Sequence, residues 1–302
     1  MTVQTEDFLG WHGCYRIGNG LIEALVAPAI GRVMQLRLAG DAESPLWINP
    51  DLHGAPCRPG MGGYLNFGGD KAWPAPQSVW PSVIGDNWPP PAAFDGMPAS
   101  AAVGSQGVVF SSPVDPCSGL RVVRRVELDP GKPVMRIKTE FQKVSGRPVQ
   151  ASVWIVSQLA HPERMFVLLP ENRSLFEGGF TLLAGSPPED LQIEGALLSL
   201  PRDPAVQTKI GTEGCSLLWM DRRLALRIDA QRPAGEYPNR GSSAEIYSSP
   251  DPMTYVELET TGPLAMLAQG ETLEACNTYT LTRRSVADPT AEARRVFGVA
   301  EG

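Results

Sequence analysis

The chain has 302 residues, a net charge of −7 and an apolar fraction of 42%. This length permits one large domain or two smaller ones, and the apolar fraction argues against extensive disorder. The acidic balance excludes a broad basic surface for nucleic acid or anionic lipid. The 31 glycines and 29 prolines indicate many turns and therefore many short strands.

The N-terminal residues are polar and acidic, and no stretch approaches the roughly 18 apolar residues that a membrane span requires. We therefore expect a cytoplasmic protein that binds no membrane. Five scattered cysteines form no Cys-x-x-Cys pair, which favours free thiols over a disulfide framework or zinc site. The three histidines lack metal-binding spacing, and phosphate-binding motifs are absent, so we expect neither a metal nor a cofactor.

In chain order, residues 15–38 are predicted as two strands around a turn. Residues 43–100 are rich in Pro, Gly and Trp with little periodicity, which predicts a long irregular segment. Residues 289–297 are predicted as a helix, with Asp288 as its N-cap and Pro289 at the first helical position. Longer strands are predicted at residues 103–110, 120–128, 134–142 and 149–160, and eight shorter ones lie between residues 166 and 282.

The pattern of many short strands with few helices excludes a doubly wound α/β protein. It favours an all-β fold, a large antiparallel sandwich. No composition break marks a linker, so we predict a single domain over residues 1–302.

Residues 63–80 combine flat apolar rings with directional polar groups in a segment rich in Gly and Pro. This combination is the chemistry that binding a neutral sugar requires. The alternative is a rigid surface crossover anchored by buried tryptophans. The side chains concerned are Asn66, Asp70, Lys71, Trp73, Gln77 and Trp80.

A second candidate feature is a pair of carboxylates on a predicted strand. Strand alternation places Tyr255, Glu257 and Glu259 on one face. Like charges about 7 Å apart raise each other's pKa, which is one way to obtain a carboxylate that exchanges protons near neutral pH. The alternative is a solvated edge strand. Tyr and Glu recur nearby at Glu245 and Tyr247, and this repetition favours a cleft floor.

Four segments together resemble a known superfamily: residues 28–33, 66–77, 152–158 and 255–264, with a fifth at residues 267–273. The sequence is similar to the galactose-mutarotase-like superfamily of aldose 1-epimerase relatives, and most similar to an uncharacterised bacterial branch of it. The resemblance implies an antiparallel β-supersandwich that binds a monosaccharide on a concave sheet face. In such epimerases a carboxylate accepts the proton of the anomeric hydroxyl while a histidine protonates the ring oxygen. Glu259 matches the catalytic glutamate best, and Glu257 is the alternative.

The sequence departs from the superfamily in its histidines. The paired histidines of aldose 1-epimerases have no counterpart, although His161 follows the strand at residues 149–160. Lys71 with Asp70 could replace the missing acid, or these two residues could form a structural ion pair.

The resulting hypothesis is a carbohydrate-active protein. If it is an enzyme, it would be an epimerase with Glu259 or Glu257 as base and Lys71 or His161 as acid. Trp73 and Trp80 would stack on the sugar beside Tyr255. The hydrogen-bonding residues would be Arg32, Asn66, Asp70, Lys71 and Gln77. One alternative is a noncatalytic carbohydrate-binding module. Another is a phosphosugar epimerase, which would require arginines such as Arg124, Arg125 and Arg240 to converge on the cleft.

Overall fold

The computed structural model describes residues 1–57, 64–81, 88–187 and 189–300. Within them the chain is built mainly of antiparallel strands, which confirms the predicted all-β fold class. The first ten strands are β1 (Thr2–Phe8), β2 (Trp11–Gly18), β3 (Ile22–Ala27), β4 (Arg32–Leu38), β5 (Asp70–Ala75), β6 (Ser100–Val103), β7 (Gly107–Ser111), β8 (Leu120–Leu128), β9 (Val134–Lys143) and β10 (Val149–Ala160).

The later strands are β11 (Arg164–Leu168), β12 (Thr181–Gly185), β13 (Gln192–Glu194), β14 (Leu197–Leu200), β15 (Thr208–Thr212), β16 (Ser216–Met220), β17 (Leu224–Asp229), β18 (Ala244–Ser248), β19 (Tyr255–Thr261), β20 (Ala265–Leu267) and β21 (Thr272–Arg283). Near the end of the described residues an α-helix, α1, spans Pro289–Phe297. As predicted, Asp288 caps it, since its side chain accepts a 2.7 Å hydrogen bond from the backbone N–H of Ala291.

The described strands form two sheets. The first has the order β1-β2-β3-β4-β5-β10-β19-β18-β15-β12, and β20 pairs with β10 at its side. The second has the order β13-β14-β11-β16-β17-β21-β9-β8-β7-β6. The main apolar core contains residues from both sheets, for example Val256 and Leu258 of β19 with Leu226 and Leu281 of the second sheet. The face of the first sheet that carries Val256 and Leu258 is called the inner face below, and the opposite face the outer face.

The prediction of an irregular segment at residues 43–100 is wrong for β5, which is a buried strand. Strand β5 escapes a pattern search because it is buried on both faces and contains Pro74, so polar and apolar residues do not alternate. Its pairing with β10 runs along the strand, whereas its pairing with β4 is limited to Val33 opposite Asp70. Beyond Asp70 the side of β5 that faces β4 makes no strand pair among the described residues, so Pro74, which has no backbone N–H, removes no strand-pairing hydrogen bond there. Residues 58–63 and 82–87 of the predicted segment lie outside the described residues.

A buried carboxylate joins the two sheets. Asp70 of β5 pairs with the guanidinium of Arg124 on β8, and both side chains are buried. The other carboxylate oxygen of Asp70 accepts 2.6 Å hydrogen bonds from the hydroxyls of Ser157 and Tyr279. These partners belong to β10 and β21, so one carboxylate holds strands of both sheets.

No helix in the described part of the chain is long and apolar enough to cross a membrane. The cytoplasmic location and the single domain stay predictions.

Replacing Asp70 with asparagine tests the link between the sheets. The substitution leaves the buried guanidinium of Arg124 without its counter-charge, so we expect the free energy of unfolding to fall by about 3–5 kcal/mol in urea denaturation. The matched control is Glu43→Gln, which removes the exposed pair of Glu43 with Arg223 and should cost less than about 1 kcal/mol. Equal losses in the two variants would contradict a special role for Asp70.

Candidate functional site

A cleft of about 670 Å³ opens on the outer face of the first sheet. Its floor comes from strands β5, β10, β15, β18 and β19, and its walls come from loops around residues 64–66, 77, 88 and 249–253. Six aromatic side chains line it: Tyr64, Trp73, Trp88, Trp154, Tyr247 and Tyr255. The polar side chains that line it are Asn66, Gln77, Gln207, Lys209, Ser249, Asp251 and Glu257.

Strand register explains why these side chains meet. In adjacent strands Trp73 lies opposite Trp154, and Gln158 lies opposite Glu257, which lies opposite Tyr247. Val256 and Leu258 belong to the core between the sheets, so the alternate residues Tyr255 and Glu257 face outward. The alternation predicted for this strand is therefore present.

A chain of hydrogen bonds leads from Glu257 to a buried lysine. Gln158 donates from its Nε2 to Oε1 of Glu257 at 2.9 Å, and its own Oε1 accepts from Nζ of Lys71 at 3.2 Å. Lys71 also donates to the hydroxyl of Tyr64 at 2.9 Å. Tyr64 and Glu257 both line the cleft, whereas Lys71 does not. Hydrogen bonds therefore connect Lys71 to the cleft by two routes, directly through Tyr64 and through Gln158 to Glu257.

Lys71 is 1% exposed, and its ammonium lies 4.2 Å from the ring centroid of Trp73. Burial, together with the positive charge of Arg32, lowers the pKa of Lys71 to about 8, although Asp95, Glu257 and Glu259 oppose the shift. A lysine with this pKa can exchange a proton near neutral pH.

A second lysine lies between two buried carboxylates. Nζ of Lys209 is 2.8 Å from Oε2 of Glu259 and 2.8 Å from Oε2 of Glu245. The contact with Glu259 is a hydrogen bond, whereas the contact with Glu245 has the distance of an ion pair but lacks hydrogen-bond geometry. The indole N–H of Trp154 donates to Glu259 at 2.6 Å, and Asn239 donates to Glu245 at 2.7 Å. This set of three charged groups, Lys209 with Glu245 and Glu259, is called the lysine–diglutamate cluster.

Two carboxylates and one ammonium leave this cluster with an excess negative charge. Burial, and the nearby charge of Glu259, raise the pKa of Glu245 to about 7 despite the opposing effect of Lys209. Burial and Glu257 likewise raise the pKa of Glu259. Burial alone would lower the pKa of Lys209, but the two carboxylates outweigh it and raise this pKa. Lys209 therefore stays charged, and the carboxyl pair tends to retain a proton near neutral pH.

The loop at residues 249–253 forms one wall of the cleft and is held by Arg202. The guanidinium of Arg202 donates to the backbone oxygens of Ser249 at 2.9 Å and Met253 at 3.2 Å. It also pairs with the carboxylate of Asp251 at 2.6 Å. These three bonds fix the backbone of a wall that has no strand of its own.

The structure brings some of the predicted site residues to the cleft and leaves others elsewhere. Five of them line it: Asn66, Trp73, Gln77, Tyr255 and Glu257. Lys71 and Glu259 lie directly behind the lining, bonded to side chains that line it. Arg32, Asp70, Trp80 and His161 do not line it.

Asp70 and Lys71 are adjacent on a strand, so their side chains leave opposite faces. Asp70 pairs with Arg124 between the sheets while Lys71 faces the outer side, and the two do not form the ion pair considered from the sequence. The role of Asp70 as a sugar ligand is not compatible with this position, because the side chain is fully buried away from the cleft.

Arg32 and Trp80 support the cleft from behind. Arg32 donates to Asp95 at 2.6 Å, and the same oxygen of Asp95 accepts from the indole N–H of Trp73 at 3.0 Å. Trp80 is buried against Trp73 and donates to the backbone oxygen of Pro74 at 2.8 Å. Both residues therefore orient Trp73 rather than reach a ligand. His161 is exposed beyond the end of β10.

Sequence reasoning did not select several residues that line the cleft. Lys209 lies in a short strand with no distinctive motif, so no local signal identifies it. Trp88 and Trp154 were visible as tryptophans near the predicted loop and within the predicted strand at residues 149–160, but their side-chain directions depend on tertiary packing. Tyr64 lies in the predicted loop two residues before Asn66, and Tyr247 belongs to the Tyr and Glu pattern that favoured a cleft floor.

The arginines that a phosphosugar site would require do not line the cleft. Arg124 is buried against Asp70, and Arg240 donates to Thr181 and to the backbone oxygen of Leu182. Arg125 is exposed on β8 of the second sheet.

Solved structures share this architecture. A galactose mutarotase-like protein from Lactobacillus casei superimposes with a TM-score of 0.59 at 11% identity, over 89% of this chain and 100% of that one. A protein from Escherichia coli K12, provisionally described as an aldose 1-epimerase, superimposes with a TM-score of 0.56 at 13% identity, over 89% of this chain and 99% of that one. A galactose mutarotase related enzyme from Lactobacillus acidophilus superimposes with a TM-score of 0.53 at 12% identity, over 91% of this chain and 98% of that one.

No protein-family model and no curated sequence match the chain. The structural likeness is nevertheless extensive, and the chain has the galactose mutarotase-like fold that the sequence resemblance implied.

Replacing Glu245 with glutamine tests the charge state of the lysine–diglutamate cluster. A carboxyl whose pKa is about 7 in the folded protein and 4.5 in the reference state binds more protons when folded, so its contribution to stability falls as pH rises from about 4.5 to 7. Glu245→Gln removes this loss and leaves Glu259 alone with Lys209. We expect the free energy of unfolding of the variant, relative to the parent, to increase by about 3 kcal/mol between pH 4.5 and pH 7.5.

Urea denaturation at a series of pH values measures this difference. The control is Glu194→Gln, because Glu194 is exposed at the edge of the second sheet. Parallel pH profiles for the parent and Glu245→Gln would contradict a protonated carboxyl in the cluster.

Proposed function

We propose that the protein binds a neutral sugar in the cleft and exchanges its anomers by acid/base catalysis at the anomeric carbon. The observation that carries the proposal is the position of Glu257, which is 9% exposed at the floor of a cleft lined by six aromatic side chains. Aromatic rings offer apolar faces to the C–H groups of a sugar, and the carboxylate and amides between them can bind its hydroxyls. The names of the structural neighbours, which include mutarotase-like and aldose 1-epimerase proteins, support the same class of ligand.

The charges around the cleft favour an uncharged ligand. Lys209 is paired with two carboxylates, and Arg202 is paired with Asp251. Lys71 is close to the carboxylate of Glu257 through Gln158. Because Lys209 and Arg202 are paired directly with carboxylates and Lys71 is buried behind the lining, the described part of the cleft offers no excess positive charge to a phosphate.

In the proposed reaction Glu257 accepts the proton of the anomeric hydroxyl. Gln158 donates to one oxygen of Glu257 and so fixes the orientation of the carboxylate. The hydroxyl of Tyr64, which donates to Asn66 in this structure and whose pKa burial raises, relays a proton: it gives one to the ring oxygen as it takes one from the ammonium of Lys71. The C1–O5 bond breaks and the open-chain aldehyde forms. Rotation about the C1–C2 bond and the reverse proton transfers close the ring as the other anomer.

This assignment selects among the sequence-predicted groups by their access to the cleft. Glu259 is 0% exposed, and one of its oxygens is bound by Trp154 and Lys209, so Glu257 is the better base. Lys71 reaches the cleft through Tyr64, and its lowered pKa suits an acid at neutral pH.

A noncatalytic sugar-binding module is the second candidate. The observation that favours it is the state of Lys209, the ammonium that lines the cleft, which two carboxylates hold charged and so make a weak acid. In this case the cleft would bind sugar, but Glu257 would act as a hydrogen-bond acceptor alone.

Exchange spectroscopy by NMR on a panel of aldoses tests the proposal. We expect the parent to accelerate anomer exchange of at least one aldose, and Glu257→Gln to lower the rate by about 10²–10⁴-fold, the usual contribution of a general base. The variant should keep measurable sugar binding because the amide retains the shape of the carboxylate. The control variant Glu194→Gln should retain the parent rate.

Binding without acceleration would replace the enzyme proposal with the noncatalytic candidate. Absence of binding for every aldose in the panel would contradict both.

A further inference from the structure

The aromatic side chains of the cleft form two groups, which Asn66 connects, since it accepts from the hydroxyl of Tyr64 at 3.2 Å and interacts with Tyr255. The first contains Tyr64, Trp88, Trp73 and Trp154, whose successive ring centroids in this order lie 4.7, 6.1 and 5.2 Å apart. Trp88 is its most accessible member and is 42% exposed. The second group contains Tyr247 and Tyr255, with ring centroids 6.1 Å apart. Trp47 packs against Tyr255 at 4.7 Å and supports the second group from outside the cleft.

The strand register places these groups at opposite ends of the cleft floor. Trp154 of β10 lies opposite Thr261 of β19, whereas Tyr255 lies six residues earlier on β19. At about 3.3 Å per residue, the two positions are about 20 Å apart along the strand. Tyr247 lies opposite Glu257 on one side and opposite Lys209 on the other, four residues or about 13 Å along β19 from the level of Trp154. The floor therefore has one aromatic group at the level of Trp154 and the other beside the charged groups Glu257 and Lys209.

The volume of the cleft exceeds the requirement of one sugar ring. An aldohexose has twelve non-hydrogen atoms, and at about 30 Å³ per atom, the volume of a water molecule in the liquid, it would occupy about 360 Å³. A disaccharide with twenty-three such atoms would occupy about 690 Å³ on the same scale. The cleft has about 670 Å³. This scale overstates the volume of bonded atoms, so one ring leaves about half of the cleft or more unfilled.

We propose that the cleft contains two sugar subsites and that its ligand is a disaccharide unit. The reducing ring stacks on Tyr247, which lies opposite Glu257, so that its anomeric hydroxyl reaches this carboxylate. The other ring stacks at the Trp88 end. The proposal rests on the proposed function, since it names the class of carbohydrate that the same cleft accepts. The accessible ring of Trp88 and the half-buried ring of Tyr247 provide one apolar face for each sugar.

Calorimetric titration with monosaccharides and with the disaccharides built from them tests the two subsites. The pairs are glucose with maltose and cellobiose, and galactose with lactose. We expect at least one disaccharide to bind the parent protein about tenfold or more tightly than its component monosaccharide, since it fills the second subsite. Equal affinities of every disaccharide and its component monosaccharide would overturn the proposal and leave sugar binding intact.

A pair of variants assigns the second subsite. Tyr247→Ala removes one ring and should weaken disaccharide binding at least about fivefold more than monosaccharide binding. Tyr247→Phe keeps the ring and should retain the preference for the disaccharide. A loss of the same factor for both ligand classes in Tyr247→Ala would contradict two subsites.

The comparison on the parent protein does not depend on the folding of either variant. If none of these sugars binds, both the proposed function and the two-subsite proposal are overturned. If monosaccharides and disaccharides bind equally, only the two-subsite proposal is overturned, so the two failures are distinguishable.

Discussion

Asp70 places a carboxylate between the two sheets, where Arg124 of the second sheet and Ser157 of the first bind it. This burial fixes which face of β5 turns inward, because neighbouring residues of a strand leave opposite faces. Lys71 and Trp73 must then face the outer side, where the cleft lies. A shift of one residue in the register of β5 would bury Lys71 between the sheets and expose Asp70. The link between the sheets and the composition of the cleft thus depend on the same strand register.

The second constraint on the cleft is the balance of its buried charges. Moving a charged group out of water is costly unless a partner compensates for it. Lys209 is compensated by Glu245 and Glu259, and Lys71 lies over the ring of Trp73 while Gln158 connects it to Glu257. Because compensation occurs within the protein, a ligand needs no charge of its own, which is consistent with the neutral sugar that we propose.

The sequence was sufficient to predict features that depend on local alternation. The strand Val149–Ala160 and the helix Pro289–Phe297 have the predicted bounds, and the outward face of Tyr255 and Glu257 follows from a period of two residues. Strand β5 was not predictable in this way, because a strand buried on both faces carries no alternation and Pro74 argues against a central strand.

The parts of the site that sequence reasoning missed depend on contacts between distant segments. Lys209 acquires its role from two carboxylates on other strands, and Trp88 from the rings of Tyr64 and Trp73. The segment at residues 66–77 was selected as a whole, whereas its side chains divide between the cleft and the region between the sheets. Asp70 and Lys71 show the reason, since composition identifies the residues of a segment but not the face that each one takes.

The central claim is that the outer face of the first sheet, at Glu257, is the carbohydrate site. A crystal structure of the protein soaked with maltose tests this claim most directly. The account predicts one sugar ring against Trp88, a second against Tyr247, and a hydroxyl within hydrogen-bond distance of Glu257. Ordered sugar elsewhere on the molecule, with solvent alone in the cleft at a saturating concentration, would contradict it.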